Sequence, residues 1–263
     1  MGMKLLTGLL ILFTSLLEAQ DNPIHPYTYS LEELAMIEIS GATLTLQNMR
    51  TVPSAVTVFN REEIKRMGVD TLDELMNFVP GFQAYRTADS GLAYPFSSRG
   101  RRISGVAAEV LIIIDGQRID NPRSSGSSAI LPKLPIANIE RVEFIRGPGS
   151  AVYGSNAMMG LVNIITRSGI NELSLSYGSF NRRQAHLLTT LTLGEVTLDL
   201  FSHIDTDDGD DYRLQDTFSS NLIDTDDPRQ LFEFHLKLQW LKTSIMLQHN
   251  QVSNENFYEL GSI

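Results

Sequence analysis

The stretch from Leu134 to Arg167 leaves this chain the least conformational freedom. Val142-Glu-Phe-Ile-Arg146 and Gly160-Leu-Val-Asn-Ile-Ile-Thr166 are β-branched and aromatic runs of strand length. Glycines stand at 147, 149, 154, 160 and 169. The order is strand, glycine-rich turn, small-residue stretch, strand. Such a density of glycine requires a backbone that turns tightly and lies close to another surface.

Around this stretch, residues 50–169 read as an α+β block. Ser54–Phe59 predicts a strand, and Asn60 caps a helix over Arg61–Met67 that Gly68 ends. Thr71-Leu-Asp-Glu74 has capping-box spacing and opens a second helix, which stops before Pro80-Gly81. Phe82–Tyr85 predicts a strand. Val110–Ile114, Asp115-Gly116 and Gln117–Ile119 predict a hairpin on a type I′ turn. Residues 120–135, rich in Ser, Gly and Pro, predict a loop.

Beyond Gly169 the texture becomes strands: Glu172–Phe180, Gln184–Leu193, Glu195–His203, Leu231–Trp240 and Lys242–Asn250. In Leu231–Trp240, Phe232, Phe234, Leu236, Leu238 and Trp240 share one side, and Glu233, His235, Lys237 and Gln239 the other. A strand of a transmembrane β-barrel needs about 10 residues, apolar outward and polar inward. A soluble sandwich alternates too, so this strand alone leaves both open. The links at Leu193-Gly-Glu195 and Trp240-Leu-Lys242 are tight, whereas Asp205–Arg229 reads as a long acidic loop. Short turns at one end and long loops at the other fit a barrel.

Charge divides the chain in the same way. Residues 1–49 carry one Lys and five acids, residues 50–169 carry 14 basic and 11 acidic residues, and residues 170–263 carry 6 and 15. Separate modules explain this better than one mixed surface, and nothing is basic enough to call for nucleic acid. Met1–Lys4, the apolar run Leu5–Leu17 and Ala19 predict a secretory signal peptide over residues 1–19. Residues 20–49 predict a linker, with capping-box spacing for a short helix at Ser30-Leu-Glu-Glu33 and strand-like pieces at Met36–Ser40 and Thr43–Leu46. The absence of cysteine excludes disulfides and thiolate chemistry.

The Leu134–Arg167 stretch, with Val52–Val58, Asp73–Phe82, Ser98-Arg-Gly100 and Leu111–Gly116, resembles the plug domain of TonB-dependent outer-membrane receptors. The resemblance implies an α+β plug, a mixed sheet with short helices over residues 50–169. Antiparallel transmembrane β-barrel strands of an incomplete barrel would follow over 170–263. In the family the plug sits inside a barrel of about 22 strands. These receptors import scarce nutrients such as siderophore-iron, haem or cobalamin, and the TonB-ExbB-ExbD inner-membrane complex energises them. Cell outer membrane, outer-membrane lipid and a small-molecule nutrient are the implied location and partners.

By the same resemblance Arg99 and Arg146, each followed by glycine, are a candidate latch to glutamates on the barrel wall. Met36, Ile37, Glu38, Ile39 and Ser40 are the first candidate TonB box, and Thr43–Leu46 the second. Plug loops around Tyr85–Tyr94 and Asn121–Ser128, with Tyr85, Arg86, Tyr94, Asn121 and Arg123, are expected to face ligand.

Signals for other chemistry are poor. Gly147–Val152 lacks the third glycine of a dinucleotide turn, and Ser150 has no G-x-S-x-G frame. Gly209 falls one position short of an EF-hand loop in Asp205–Asp211. His203 and His235 lack metal spacing. No catalysis, cofactor or metal site is expected. The chain holds at most five expected wall strands, which cannot close a barrel, so it is expected to be a fragment. The alternative is a periplasmic plug-like binding or signalling module whose strands form a small soluble sheet.

Overall fold

The computed structural model describes residues 38–39, 47–48, 55–84, 96–98, 100, 109–120, 133–147, 153–215 and 221–254. A two-residue ladder comes first, β1 (Glu38–Ile39) against β2 (Gln47–Asn48). Next come β3 (Ala55–Asn60), α1 (Arg61–Met67), α2 (Leu72–Met76), β4 (Phe82–Ala84) and β5 (Phe96–Ser98). They are followed by β6 (Val110–Ile114), β7 (Gln117–Ile119), β8 (Ile139–Arg146) and β9 (Gly160–Thr166).

Helix α1 forms where the sequence places it. The Asn60 side chain accepts from the Glu63 N–H at 3.0 Å, the Glu63 carboxylate accepts from the Asn60 N–H at 2.9 Å, and Gly68 ends the helix with φ 65°. The second cap differs from the expectation. Thr71 makes no side-chain cap bond; the Glu74 carboxylate takes the Asp70 N–H instead, at 2.9 Å, because Thr71 is held in an antiparallel bridge to Pro135.

The strands assemble in the order β3-β8-β9-β6-β7, with β6 and β9 parallel and the other pairs antiparallel. A continuous apolar run such as Val110–Ile114 suits a strand covered on both faces, and all five residues are buried. One face packs Ile112, Ile114, Val142, Phe144, Val162 and Ile164 against Ile64, Leu72, Leu75 and Met76 of the helices. The other gathers Leu111, Ile113, Ile145, Leu161 and Ala157. Phe82 and Phe144 meet edge-to-face with centroids 5.6 Å apart. Gly160 lies beneath them: a Cβ there would be 2.9 Å from the Phe82 ring and 3.0 Å from the Ile145 carbonyl oxygen. The close approach that glycine density predicted is therefore real at this position.

After Gly169 come β10 (Glu172–Tyr177), β11 (Arg183–Leu193), β12 (Val196–Asp207), β13 (Asp211–Gln215), β14 (Leu222–Asp226), β15 (Arg229–Trp240) and β16 (Thr243–Asn254). Strands β10-β11-β12-β15-β16 form an antiparallel sheet that does not close. The stretch expected to be one acidic loop contains the hairpin β13–β14; its aspartates mask the alternation that marks the other strands.

This sheet is inside out by the standards of a water-soluble protein. On β15, Leu231, Glu233 and His235 are buried, while Trp240 at the far end of the apolar side is half exposed. On β12, Asp199, Phe201, His203 and Asp205 are buried and Ile204 is exposed. Leu173, Leu175, Leu187, Leu191, Leu193, Ile245 and Leu247 point the same way as Ile204, to the outside. The polar side faces the mixed sheet: Met246 packs on its core. Among the described residues no helix is long and apolar enough to cross a membrane, which says nothing of strands.

Candidate functional site

The seam between the two sheets collects the charged chemistry. At its centre is the hairpin turn Asp115-Gly116, where both residues take positive φ, 47° and 84°. Aspartate tolerates that left-handed conformation and its carboxylate is freed to point away from the turn. It accepts from the Thr166 N–H at 3.0 Å, from Thr166 Oγ1 at 2.5 Å, and from Lys237 Nζ on β15 at 2.8 Å. Burial alone would lift the Asp115 carboxyl, but the hydrogen bonds from Lys237 and Thr166 hold it below its ordinary range.

A second charged contact lies toward the other end of the strands. Arg182, in the turn between β10 and β11, donates from Nε and Nη2 to Asp205 at 2.9 and 2.7 Å. Its Nη1 reaches Asp70, between α1 and α2, at 2.6 Å. Between these points Asn138 Nδ2 and His235 Nδ1 are 2.9 Å apart, and Asn250 Nδ2 donates to the Lys133 carbonyl at 3.0 Å. Arg167 joins the sheets covalently and electrostatically: it holds Glu172 through two nitrogens at 3.1 and 2.7 Å and the Ala137 carbonyl at 3.1 Å. A cavity of about 10 Å³, the room one water needs, is lined by Asn138, Arg167, Asp199, His235 and Lys237.

The residues expected from sequence fall differently. Arg146 is in place on β8, but its described partners are the Pro80 carbonyl at 2.9 Å and Thr57 Oγ1 at 3.5 Å. Arg99 lies outside the described residues, as do Tyr85, Arg86, Tyr94, Asn121, Arg123, Met36, Ile37, Ser40 and Thr43–Leu46. Glu38 and Ile39 pair with Asn48 and Gln47. Next to Asn121, Asp120 accepts from Arg118 at 2.8 Å and Asn156 at 2.9 Å, and the Arg118 bond holds its carboxyl below the ordinary range. This ties the root of the 121–132 stretch to the glycine-rich segment. Asp70, Asp115, Arg182 and Lys237 were not singled out by sequence. Asp115 had been read only as a turn residue, and nothing local announces partners more than 100 residues away.

Residues 48–161 match the family model described as the TonB-dependent receptor plug domain. This part of the chain is similar to the plug domain of TonB-dependent receptors. Solved receptors share the fold of the plug and of the wall strands beside it. The pyoverdine outer-membrane receptor FpvA of Pseudomonas aeruginosa PAO1, bound to pyoverdine, is 20% identical with a TM-score of 0.61 over 82% of this chain. A mutant of the ferric enterobactin receptor PfeA of Pseudomonas aeruginosa, in complex with enterobactin, is 21% identical with a TM-score of 0.56 over 76%. The ferric-catecholate import receptor Fiu of E. coli K12 is 21% identical with a TM-score of 0.55 over 84%. The match covers 30%, 33% and 30% of those chains, so this chain spans about a third of their length. The mixed sheet thus has the fold of the plug in those receptors, and the open antiparallel sheet resembles part of the surrounding barrel wall.

Proposed function

We propose that this chain supplies the plug and a contiguous set of wall strands of an outer-membrane receptor for energised uptake of a scarce nutrient. An iron–siderophore is the ligand class that the pyoverdine, enterobactin and catecholate receptors support. The observation that carries the reading is the inverted sheet: Asp199, His203, Asp205, Glu233, His235 and Lys237 turn toward the plug, while Leu173, Leu175, Leu191, Ile245 and Leu247 turn away from it. That arrangement suits lipid outside and a polar lumen within.

In this reading residues 1–19 are a signal peptide, 20–49 a periplasmic linker, 50–169 the plug and 170–263 wall strands. Met36–Ser40 recruits TonB of the TonB-ExbB-ExbD complex, and Arg99 and Arg146 latch the plug to wall strands beyond those described. Tyr85, Arg86, Tyr94, Asn121 and Arg123 face ligand at the outer mouth. The reaction is transport, not catalysis.

Cell fractionation of the expressed chain is the test. Insertion into the outer membrane is expected; recovery as a soluble periplasmic monomer would replace this reading with that of a plug-like binding module. For the box, Ile37→Pro is expected to abolish binding of TonB to the full chain by removing a strand edge. Undiminished binding rejects Met36–Ser40.

A further inference from the structure

The hairpin β13–β14 is rooted in a chain of charges that runs into the plug. At its stem Arg229 donates to Asp207 from Nε at 3.0 Å and lies 2.9 Å from it through Nη2. The same Nη2 is 3.9 Å from Asp205, which Arg182 grips through two nitrogens. The third nitrogen of Arg182 holds Asp70. Beside this line the Asn181 amide donates to Asp208 at 3.0 Å and the Asp208 N–H donates to the Phe180 carbonyl at 2.9 Å. Phe180 and Asn181 are thereby kept at φ 55° and 54°, the left-handed conformation that disfavours a non-glycine residue.

Asp70 is well placed to pass on a displacement. Its N–H is held by Glu74 in α2, its carbonyl accepts from the Ile136 N–H at 3.0 Å, and its side chain is held by Arg182. Moving it shifts the start of α2 and the lead into β8 together.

Resting on the receptor reading above, we infer that Arg182 is a positioning residue that couples the acidic hairpin to the plug. Its planar fork serves two carboxylates in one geometry, which a lysine cannot do. A change at the hairpin stem redistributes the carboxylates around Arg229 and reaches Asp70 through Arg182.

The test is hydrogen exchange on the full chain folded in detergent micelles, read over residues 70–76. Arg229→Gln is expected to speed exchange there about fivefold or more, the low end of ordinary coupling between sites, and to add nothing once Arg182→Met is present. Unchanged exchange in R229Q, or an equal rise in the R182M background, overturns the proposal. Arg182→Lys provides the same comparison with the charge kept, and full coupling in R182K would also overturn it. Membrane insertion is scored separately by fractionation. Its failure removes the receptor reading, while the exchange comparison still decides the coupling in the folded chain.

Discussion

Replacing Lys237 with methionine keeps the length of the side chain and removes the charge that faces Asp115. The two side chains retain only 12% and 10% of their exposure, so solvent screens the pair weakly. At 2.8 Å and an effective dielectric of about 20, the attraction is about 6 kcal/mol. Desolvation cancels much of that, and breaking buried pairs typically costs about 3–5 kcal/mol. Asp115 keeps both hydrogen bonds from Thr166, which places the expected loss at about 3 kcal/mol. Urea unfolding of the micelle-bound chain, followed by the fluorescence of the single tryptophan, Trp240, measures it.

The pH dependence gives a second reading. In the wild type the depressed Asp115 pKa supplies stability above the ordinary aspartate value of about 4, lost as pH falls through the lower folded value. In K237M the carboxyl loses the bond and the charge that offset its burial, so its pKa lies above the wild-type folded value and less stability is lost as pH falls. The gap between the two proteins is therefore largest near neutrality and narrows on acidification. A K237M variant within about 0.5 kcal/mol of wild type at pH 7, the scatter of ordinary surface changes, refutes the claim that this pair holds plug to wall.

Two further changes test the fold and its setting. Gly160→Ala drives a methyl into the Phe82 ring and the Ile145 carbonyl and is expected to cost about 1–3 kcal/mol; a midpoint in urea equal to wild type would show that the close contact is not structural. Leu236→Arg, on the outward side between Leu200 and Leu247, is expected to cost about 2–4 kcal/mol in a bilayer. Unimpaired insertion of L236R into liposomes rejects the lipid-facing assignment.

Local chemistry was legible before the structure. Asn60, Glu63 and Gly68 bound α1 because their roles involve neighbours within one helical turn. Asp115-Gly116 sets its hairpin because the turn needs two positive φ angles. The sides of β15 were readable because alternation is a property of the strand itself. What sequence could not supply was partnership across the seam. Lys237 and Asp115 are 122 residues apart, Arg182 and Asp70 112, and a lysine on a polar face looks the same whether it meets water or a carboxylate. Thr71 misled for a related reason: its bridge to Pro135 overrides a motif that would be sufficient in an isolated helix.

The inverted sheet also bears on how such a chain survives before it reaches its destination. Rows of leucine and isoleucine on the outer side have no partner in an aqueous compartment, and folding the polar side onto the plug does nothing to conceal them. Early docking therefore yields a sticky particle, not a safe waiting state. In the proposed reading, passage to a membrane becomes a race between delivery and self-association, and a carrier that shields strands while delaying docking would favour delivery.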